Sequence, residues 1–321
     1  MNEIEILIIS NTLDFSTDYI CLELDRRDAK YFRLNRDQFN SYKIELHLST
    51  MSLDISSNGK EFYLSENSLK SVYFRAPTFL RDIYQHSIPP EEQLYRSQWA
   101  AFIRDLAIFE NALWINHPVA TYKAENKLLQ LKYAGLLGLE CPDTTIANFY
   151  SKENSSNTNL MIKSIDTGLL RIGDKEAFIY SNLVTSDELR DSYLSSSPII
   201  IQPYLSPKID LRITVVDNQV AAVKIVMGDK GVEGDWRKYK NQLDFVAFEL
   251  PHKTKELCVN LVKSLGLTFG AIDMIQSNGK IYFIEINPTG EWGWLVDNSG
   301  LQIHKQISDC LQEGIKSKDD S

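Results

Sequence analysis

The decisive stretch of this sequence is Ile281–Pro288, which reads IYFIEINP. Side chains two residues apart on a strand share a face, so Glu285 and Asn287 point the same way while Ile284 and Ile286 point into the core. Asn is a poor strand former, yet it lies here at the end of an apolar run. The pattern therefore indicates that the polar pair has a chemical role rather than a packing role.

A second strand is predicted directly upstream, at Ala271–Gln276, and the polar turn 277–279 joins it to Lys280–Ile286. This upstream strand carries Asp273. Two carboxylates and one amide oxygen that converge across a hairpin are the ligands that Mg²⁺ prefers in nucleotide sites. The alternative is a polar hairpin face exposed to solvent. The sequence favours a metal site formed by Asp273, Glu285 and Asn287.

Alternating strand and helix patterns along the rest of the chain predict an α/β fold. A buried strand at Ile4–Ser10 leads into a helix at Ser16–Arg27, and a long helix is predicted at Ala120–Leu137. Further on, Leu211–Val216 and Val220–Met227 form a predicted hairpin. The expected units are residues 1–115, 116–198 and 199–315, followed by a frayed tail at 316–321.

Composition argues against several classes of protein. The 321 residues include 34 Lys and Arg against 43 Asp and Glu, a net charge of −9, and nucleic-acid binding usually needs a basic surface. No apolar run approaches the ~20 residues that cross a bilayer, and the first residues are acidic where a signal peptide is basic. The four cysteines form no CxxC pair. We expect a cytoplasmic enzyme that binds neither nucleic acid nor membrane.

The order strand, Asp273, hairpin, strand and Glu285-Ile-Asn287-Pro resembles the C-terminal metal site of ATP-grasp ligases. The resemblance implies an N-terminal pre-ATP-grasp α/β domain, a central ATP-grasp subdomain and a C-terminal subdomain with the Mg²⁺ site. It also implies that ATP and Mg²⁺ convert a carboxylate into an acyl-phosphate.

The same resemblance implies roles for residues upstream. Lys127 and Lys163 would contact phosphate oxygens, although each alone is as easily a solvated surface charge. The hinge that pairs with adenine corresponds to Ile199–Leu205, with Gln202 and Tyr204 as contacts. Many family members carry an acidic residue where this chain has Gln202.

Three further residues follow the hinge in the family pattern. Asp210 would reach the ribose or a neighbouring cation, and Arg212 would contact the phosphates or the acyl-phosphate. Lys224, on the partner strand of the hairpin, would add positive charge on the same face as Arg212. Arg212 and Lys224 would act catalytically, because negative charge develops on the transferred phosphoryl group.

Other segments are similar to one subfamily, the maturases of graspetides, which are ribosomally made peptides of the microviridin and plesiocin type. The segments are 116–118 (NHP), 124–127 (AENK), 270–273 (GAID), 287–295 (NPTGEWGWL), 73–77 (YFRAP) and 235–237 (DWR). This resemblance implies a macrocyclase that phosphorylates an Asp or Glu side chain of a precursor peptide. A Ser or Thr hydroxyl, or a Lys amine, then displaces phosphate to form an ester or amide. It also implies a homodimer.

Peptide contacts are expected at two places. Arg75 and Arg237 would form bidentate pairs with carboxylates of the peptide core. The alternatives are a structural salt bridge for Arg75 and a solvated loop charge for Arg237. The predicted helix Ser186–Ser195, N-capped by its first residue and carrying Glu188 and Asp191, would dock a leader segment together with the predicted hairpin Leu211–Met227.

Two other functions compete with the macrocyclase. One is a free-standing ATP-grasp ligase that joins a small amino acid or adds glutamate to a protein tail. The other is a nucleotide-binding regulatory domain without turnover, which predicts that a metal ligand is lost. Asp273, Glu285 and Asn287 are all present, so the regulatory alternative is disfavoured.

Overall fold

The computed structural model describes residues 2–75, 89–150, 159–166, 169–172, 175–178, 180–191 and 197–314. The predicted tail at 316–321 lies outside the described residues, as does the end of the segment 73–77. Within the described part, no helix combines the length and the apolar character needed to cross a bilayer.

The first region contains two four-stranded sheets. Its elements are β1 (Asn2–Glu3), β2 (Ile6–Ser10), α1 (Phe15–Arg26), β3 (Tyr31–Asn35), β4 (Tyr42–His47), β5 (Ser52–Ser57), β6 (Lys60–Ser65), β7 (Ser71–Phe74), α2 (Pro90–Asp105) and β8 (Leu113–Ile115). One sheet is parallel in the order β3-β2-β7-β8, and the other has the order β1-β6-β5-β4. Every residue of β2 is buried, as expected for an apolar strand at the centre of a parallel sheet.

The second region contains an antiparallel sheet with the order β13-β10-β14-β9. Its elements are α3 (Pro118–Ala124), α4 (Lys127–Leu137), β9 (Thr145–Ala147), β10 (Asn159–Lys163), β11 (Leu169–Ile172), β12 (Lys175–Phe178), β13 (Asn182–Thr185), α5 (Ser186–Asp191) and β14 (Ile199–Pro203). Because β14 pairs with both β10 and β9, this sheet extends to Pro203, past the predicted boundary at 198.

The single helix predicted at Ala120–Leu137 is wrong, because two helices occupy this stretch. The side chain of Asn126 accepts a hydrogen bond from the backbone N–H of Leu129 and so caps the start of α4. The break matters for function, because it places Lys127 at the first position of a new helix.

The third region is built on a five-stranded antiparallel sheet, in the order β17-β16-β15-β18-β19. Its elements are β15 (Ile209–Val216), β16 (Gln219–Val226), β17 (Asp244–Ala247), α6 (His252–Ser264), β18 (Phe269–Ser277), β19 (Lys280–Asn287), α7 (Gly293–Ser299) and α8 (Ile303–Glu313). Both predicted hairpins are present. One face of the sheet packs against α6 and α4, through side chains such as Ile213, Ile272 and Phe283. On the opposite face, Val223, Ile225 and Ala271 pack into a second core with β2 and the segment after β19, and polar side chains such as Arg212 and Asp273 lie beside them.

Candidate active site

A cavity of about 520 Å³ lies between the central sheet and the polar face of the five-stranded sheet. Strands β10, β14, β15, β18 and β19 contribute to its walls, together with the start of α4 and residues 234–237. A volume of this size is within the range of small-molecule and cofactor sites.

The predicted metal ligands come together on one face of this cavity. Asp273 and Glu285 are directly paired across β18 and β19, while Asn287 pairs with Ala271 two positions along. All three side chains line the cavity. Carboxylate and amide oxygens side by side fit a hard cation such as Mg²⁺.

A β-bulge changes the expected pattern on β19. The pairing register shifts between Asp273 and Met274, so Ile284 is an extra residue opposite the partner strand. The prediction that Ile284 points into the core is wrong, because it lines the cavity, whereas Phe283 is fully buried. The bulge turns Glu285 towards the cavity and keeps Ile286 in the core.

Two arginines hold the carboxylate of Asp273. Arg212 donates from Nη1 to Oδ1 at 2.9 Å, and Arg237 donates from Nη2 to Oδ2 at 2.7 Å. Burial raises the pKa of Asp273, but the charges of Arg212 and Arg237 outweigh it and hold the pKa below its ordinary value. Asp273 is therefore an anion at neutral pH, as a metal ligand must be.

Both predicted phosphate lysines face the same cavity. Lys127 Nζ lies 3.8 Å from Glu285 Oε2 and donates to the carbonyl of Ser164 at 3.2 Å. Lys163 lines the opposite wall, where burial lowers its pKa and the nearby Glu285 opposes that shift. The two lysines, Arg212 and Arg237 surround the carboxylates with positive charge, which suits a bound polyphosphate.

The predicted hinge forms another wall. Gln202 lies on β14, where its Nε2 donates to Thr144 Oγ1 at 2.9 Å, and the hydroxyl of Tyr204 accepts the N–H of Gly234 at 3.2 Å. Asp210 is buried and paired with Lys208, a cation that the sequence analysis did not single out. Burial raises the pKa of Asp210 despite the opposing charge of Lys208.

Lys224 does not join this group. It is paired with Leu211 across β15 and β16, whereas Arg212 is paired with Val223, so Lys224 and Arg212 lie on opposite faces of the sheet. The ammonium lies 4.1 Å from the centroid of the Phe248 ring. The expectation of a shared face is wrong, because paired residues in an antiparallel ladder share a face and neighbours along a strand do not.

Arg75 lies in a buried network rather than on the cavity wall. Its guanidinium contacts Asp14 at 3.3 Å and Glu291 at 2.9 Å, and it donates to the carbonyl of Thr289 at 2.7 Å. Only 10% of the side chain is exposed. This geometry matches the alternative of a structural salt bridge for Arg75. The network connects the end of β7 to the segment that follows Asn287.

Arg237 is held in place by a residue that the sequence analysis did not assign. The side chain of Asp235 is 5% exposed and accepts the backbone N–H groups of Arg237 at 3.0 Å and Ser181 at 3.3 Å. The segment after β16 is thereby fixed to the central region, and the adjacent Trp236 is buried in the core. The solvated-loop alternative for Arg237 is wrong. In the sequence, the DWR pattern at 235–237 was the only feature that could have pointed to Asp235.

Glu188 has a local role in the structure. Its carboxylate accepts the N–H of Thr185 at 2.8 Å and the hydroxyl of Thr185 at 2.9 Å, while its own N–H donates to that hydroxyl. This reciprocal pattern is a capping box, so Thr185 rather than Ser186 caps α5. Neither Glu188 nor any other described side chain of its helix lines the cavity. The side chain of Asp191 lies outside the described residues.

Comparisons with known proteins identify similar ligases. A RimK-like ATP-grasp domain matches residues 178–311. The tetrahydromethanopterin:alpha-L-glutamate ligase of Methanocaldococcus jannaschii is 24% identical over 238 residues, covering 68% of this chain and 78% of that protein. A probable alpha-L-glutamate ligase of Saccharophagus degradans is 26% identical over 182 residues, covering 54% and 58% respectively.

Solved structures match nearly the whole chain. A Chryseobacterium gregarium RiPP-associated ATP-grasp ligase, in complex with ADP and a leader and core peptide, superposes with a TM-score of 0.81 at 25% identity, covering 98% of this chain and 97% of that one. The macrocyclase MdnC of Microcystis aeruginosa, bound with its precursor peptide MdnA, gives 0.77 at 21% identity, with coverages of 96% and 99%. At that identity the likeness to MdnC concerns the fold.

The predicted resemblance to peptide-modifying ATP-grasp ligases is confirmed by these matches. The ATP-grasp fold binds ATP, and this chain has a cavity with paired carboxylates and surrounding cations between its central sheet and its five-stranded sheet. The chain therefore carries a RimK-like ATP-grasp domain at residues 178–311 and is similar to ATP-grasp ligases over nearly its whole length, which indicates an ATP-dependent ligase.

Proposed function

We propose that this protein is a macrocyclase that uses ATP to join side chains within a ribosomally made precursor peptide. The observation that carries the proposal is the likeness to the RiPP-associated ligase over 98% of the chain, which includes the N-terminal sheets as well as the nucleotide cavity. The curated glutamate ligases, in contrast, match 68% of the chain or less.

The first step activates a carboxylate of the peptide. One oxygen of an Asp or Glu side chain attacks the γ-phosphorus of ATP, the bond to the bridging oxygen breaks, and ADP leaves with that electron pair. Lys127, Lys163 and Arg237 line the cavity and stabilise the negative charge that spreads over the transferred group, and the buried Arg212 adds positive charge from behind Asp273. The oxygens of Asp273, Glu285 and Asn287 would hold Mg²⁺, which offsets phosphate charge when bound.

The second step closes the ring. A hydroxyl of Ser or Thr, or an amine of Lys, attacks the acyl carbon, and phosphate leaves with the electrons of the C–O bond while the nucleophile loses its proton. The enzyme needs no covalent intermediate of its own, because holding both side chains in one cavity supplies effective molarity. The products are an ester or amide, ADP and phosphate.

The nucleotide base would lie at the hinge end of the cavity. Gln202 and Tyr204 line that wall, and the Lys208–Asp210 pair lies beside them. The nitrogen of the Gln202 side-chain amide donates to Thr144, and the oxygen of such an amide can accept a hydrogen bond. This arrangement supports a role for Gln202 as an acceptor towards the adenine amino group.

Glutamate ligation is the second candidate. It is supported by the curated relatives, which are alpha-L-glutamate ligases at 24% and 26% identity. The first step would be the same, and the difference lies in the acceptor, which would be the amine of free glutamate instead of a side chain of the same peptide.

One assay separates the two candidates. The purified protein is given Mg-ATP with an acid-rich peptide that contains Ser and Thr, or with free glutamate and an unstructured acidic peptide. The macrocyclase predicts phosphate release coupled to the loss of one water mass per ring from the first peptide. A mass gain of glutamate residues on the second peptide, with no water loss from the first, would instead identify a glutamate ligase.

A further inference from the structure

The strand that carries two of the proposed metal ligands is an edge strand. Within the described residues, β19 has β18 on one side and no strand continuing along the other. Backbone groups on an open edge need other partners when they are buried. The N–H of Phe283 donates to the carbonyl of Glu140 at 2.7 Å, so the edge position just before the bulge has a hydrogen-bond partner.

Beyond the bulge, a glutamine side chain takes the place of the missing strand. Gln130 on α4 is 3% exposed, and its Oε1 accepts the N–H of Ile286 at 3.0 Å. Its Nε2 donates to the carbonyl of Ile286 at 2.8 Å and to the carbonyl of Ala124 at 2.6 Å. Both hydrogens and the oxygen of the amide are used. Ile286 lies directly between Glu285 and Asn287.

A second buried amide holds the next part of the chain. Asn116 is 2% exposed, and its Nδ2 donates to the carbonyl of Pro288 at 2.8 Å and to the carbonyl of Phe269 at 2.8 Å. Its Oδ1 accepts the N–H groups of Thr268 and Phe269. Asn116 therefore ties the residue after Asn287 to the first residues of β18.

We propose that Gln130 and Asn116 form a two-amide clamp that positions Glu285 and Asn287 for metal–nucleotide binding, an inference that rests on the proposed role of those ligands. The backbone carbonyls of the residues before and after Asn287, Ile286 and Pro288, each accept a hydrogen bond from a buried side-chain amide that is fixed elsewhere in the fold. Gln130 lines the cavity, but the polar atoms of both amides are bonded to backbone groups, so Gln130 and Asn116 act as positioning residues.

The clamp also couples the proposed metal ligands to α4, the helix that begins at Lys127. Gln130 lies one turn after Lys127 on α4, and Lys127 Nζ is 3.8 Å from Glu285 Oε2. A primary amide is required for this coupling, because it donates and accepts at once and so pairs with both the N–H and the carbonyl of Ile286, as a neighbouring strand would. Leucine has a similar volume but leaves the N–H and carbonyl of Ile286 unpaired.

The test uses calorimetry to measure the binding of Mg-ADP and of ADP in the presence of a chelator. Three variants are compared: Gln130→Leu, Glu285→Gln and the matched control Gln306→Leu. Gln306 is a glutamine of α8 outside the cavity. Outer partners of metal ligands typically change metal affinity by about 10–100-fold. We expect a loss in that range for Mg-ADP with Gln130→Leu and none for metal-free ADP, and no change in either with Gln306→Leu.

The variants separate the clamp from the proposed function. If Glu285→Gln weakens Mg-ADP binding and Gln130→Leu does not, the clamp is wrong and the metal site stands. If neither weakens it, the metal role of Glu285 is wrong, and the clamp falls with it. An equal loss of Mg-ADP and metal-free ADP binding in Gln130→Leu would mean general damage and would also overturn the clamp. Should Gln130→Leu fail to fold, Gln130→Ala leaves room for water at Ile286 and takes its place with the same expected outcome.

Discussion

Arg237 Nη2 lies 2.7 Å from Asp273 Oδ2, which joins the segment after β16 to the strand that carries a proposed metal ligand. The same guanidinium lies 3.7 Å from Glu285 Oε1. Sequence similarity alone assigned Arg237 to the peptide. The contacts extend that role, because a cation between the two carboxylates also lies beside the site where phosphate charge would develop.

We therefore expect Arg237→Ala to lower kcat by about 10²–10³-fold, the usual cost of removing one group that stabilises transition-state charge. Arg237→Lys should recover part of the rate, since it restores charge without the planar fork. Phosphate release with peptide and Mg-ATP provides the measurement. Lys238→Ala is the matched control, because its side chain lies over Tyr180 and not on the cavity wall. A normal rate for Arg237→Ala would remove this residue from the site.

Replacing the two proposed acidic ligands should change the stability of the protein by different amounts. Glu285 is 31% exposed, so Glu285→Gln should abolish turnover and leave the unfolding temperature nearly unchanged. Asp273→Ala should abolish turnover and also destabilise the fold by about 3–5 kcal/mol, because it leaves the buried guanidinium of Arg212 unpaired. Thermal and urea unfolding measure the difference. Equal losses of stability in the two variants would contradict this assignment of burial and pairing.

Lys224→Ala should retain turnover close to that of the wild type. The residue faces Phe248 on the other side of the sheet from Arg212, so it has no route to the transferred phosphoryl group. Initial rates at saturating ATP and peptide provide the check. A large fall in kcat with an unchanged unfolding temperature would restore the catalytic role that sequence similarity suggested.

Acid should destabilise the protein partly through Asp14. Burial raises the pKa of Asp14, but the charge of Arg75 and hydrogen bonds from Ser10 and Thr17 outweigh it, so the folded pKa lies below the ordinary value. The unfolded chain then binds more protons, and stability is lost as pH falls below about 3.9 and through the folded pKa. In urea titrations, Asp14→Asn should be less stable at neutral pH and lose less on acidification. An identical pH slope in both proteins would contradict the pairing.

Much of the nucleotide cavity was predictable, because its residues follow local rules. Asp273, Glu285 and Asn287 share a face since strand pairing places them there, and Lys127 begins a helix because Asn126 is a strong capping residue. The family order of motifs supplied Lys163, which no local pattern distinguishes from a surface lysine.

The remaining features depend on contacts between distant parts of the chain. The position of Arg75 is decided by Asp14 and Glu291, far away in the sequence, and hydrophobic periodicity carries no information about such pairs. The bulge at Ile284 shifts the strand register by one residue, which strict alternation cannot anticipate. The homodimer and the leader-docking role of α5 stay predictions.

The most direct test of the central claim is mass spectrometry of any short acid-rich peptide encoded beside this protein, after co-expression of the two. We predict a loss of one water mass for each ring, absent when the Glu285→Gln variant is co-expressed, and methanolysis then separates esters from amides. An unchanged peptide mass, together with ATP hydrolysis that depends on free glutamate, would contradict the macrocyclase.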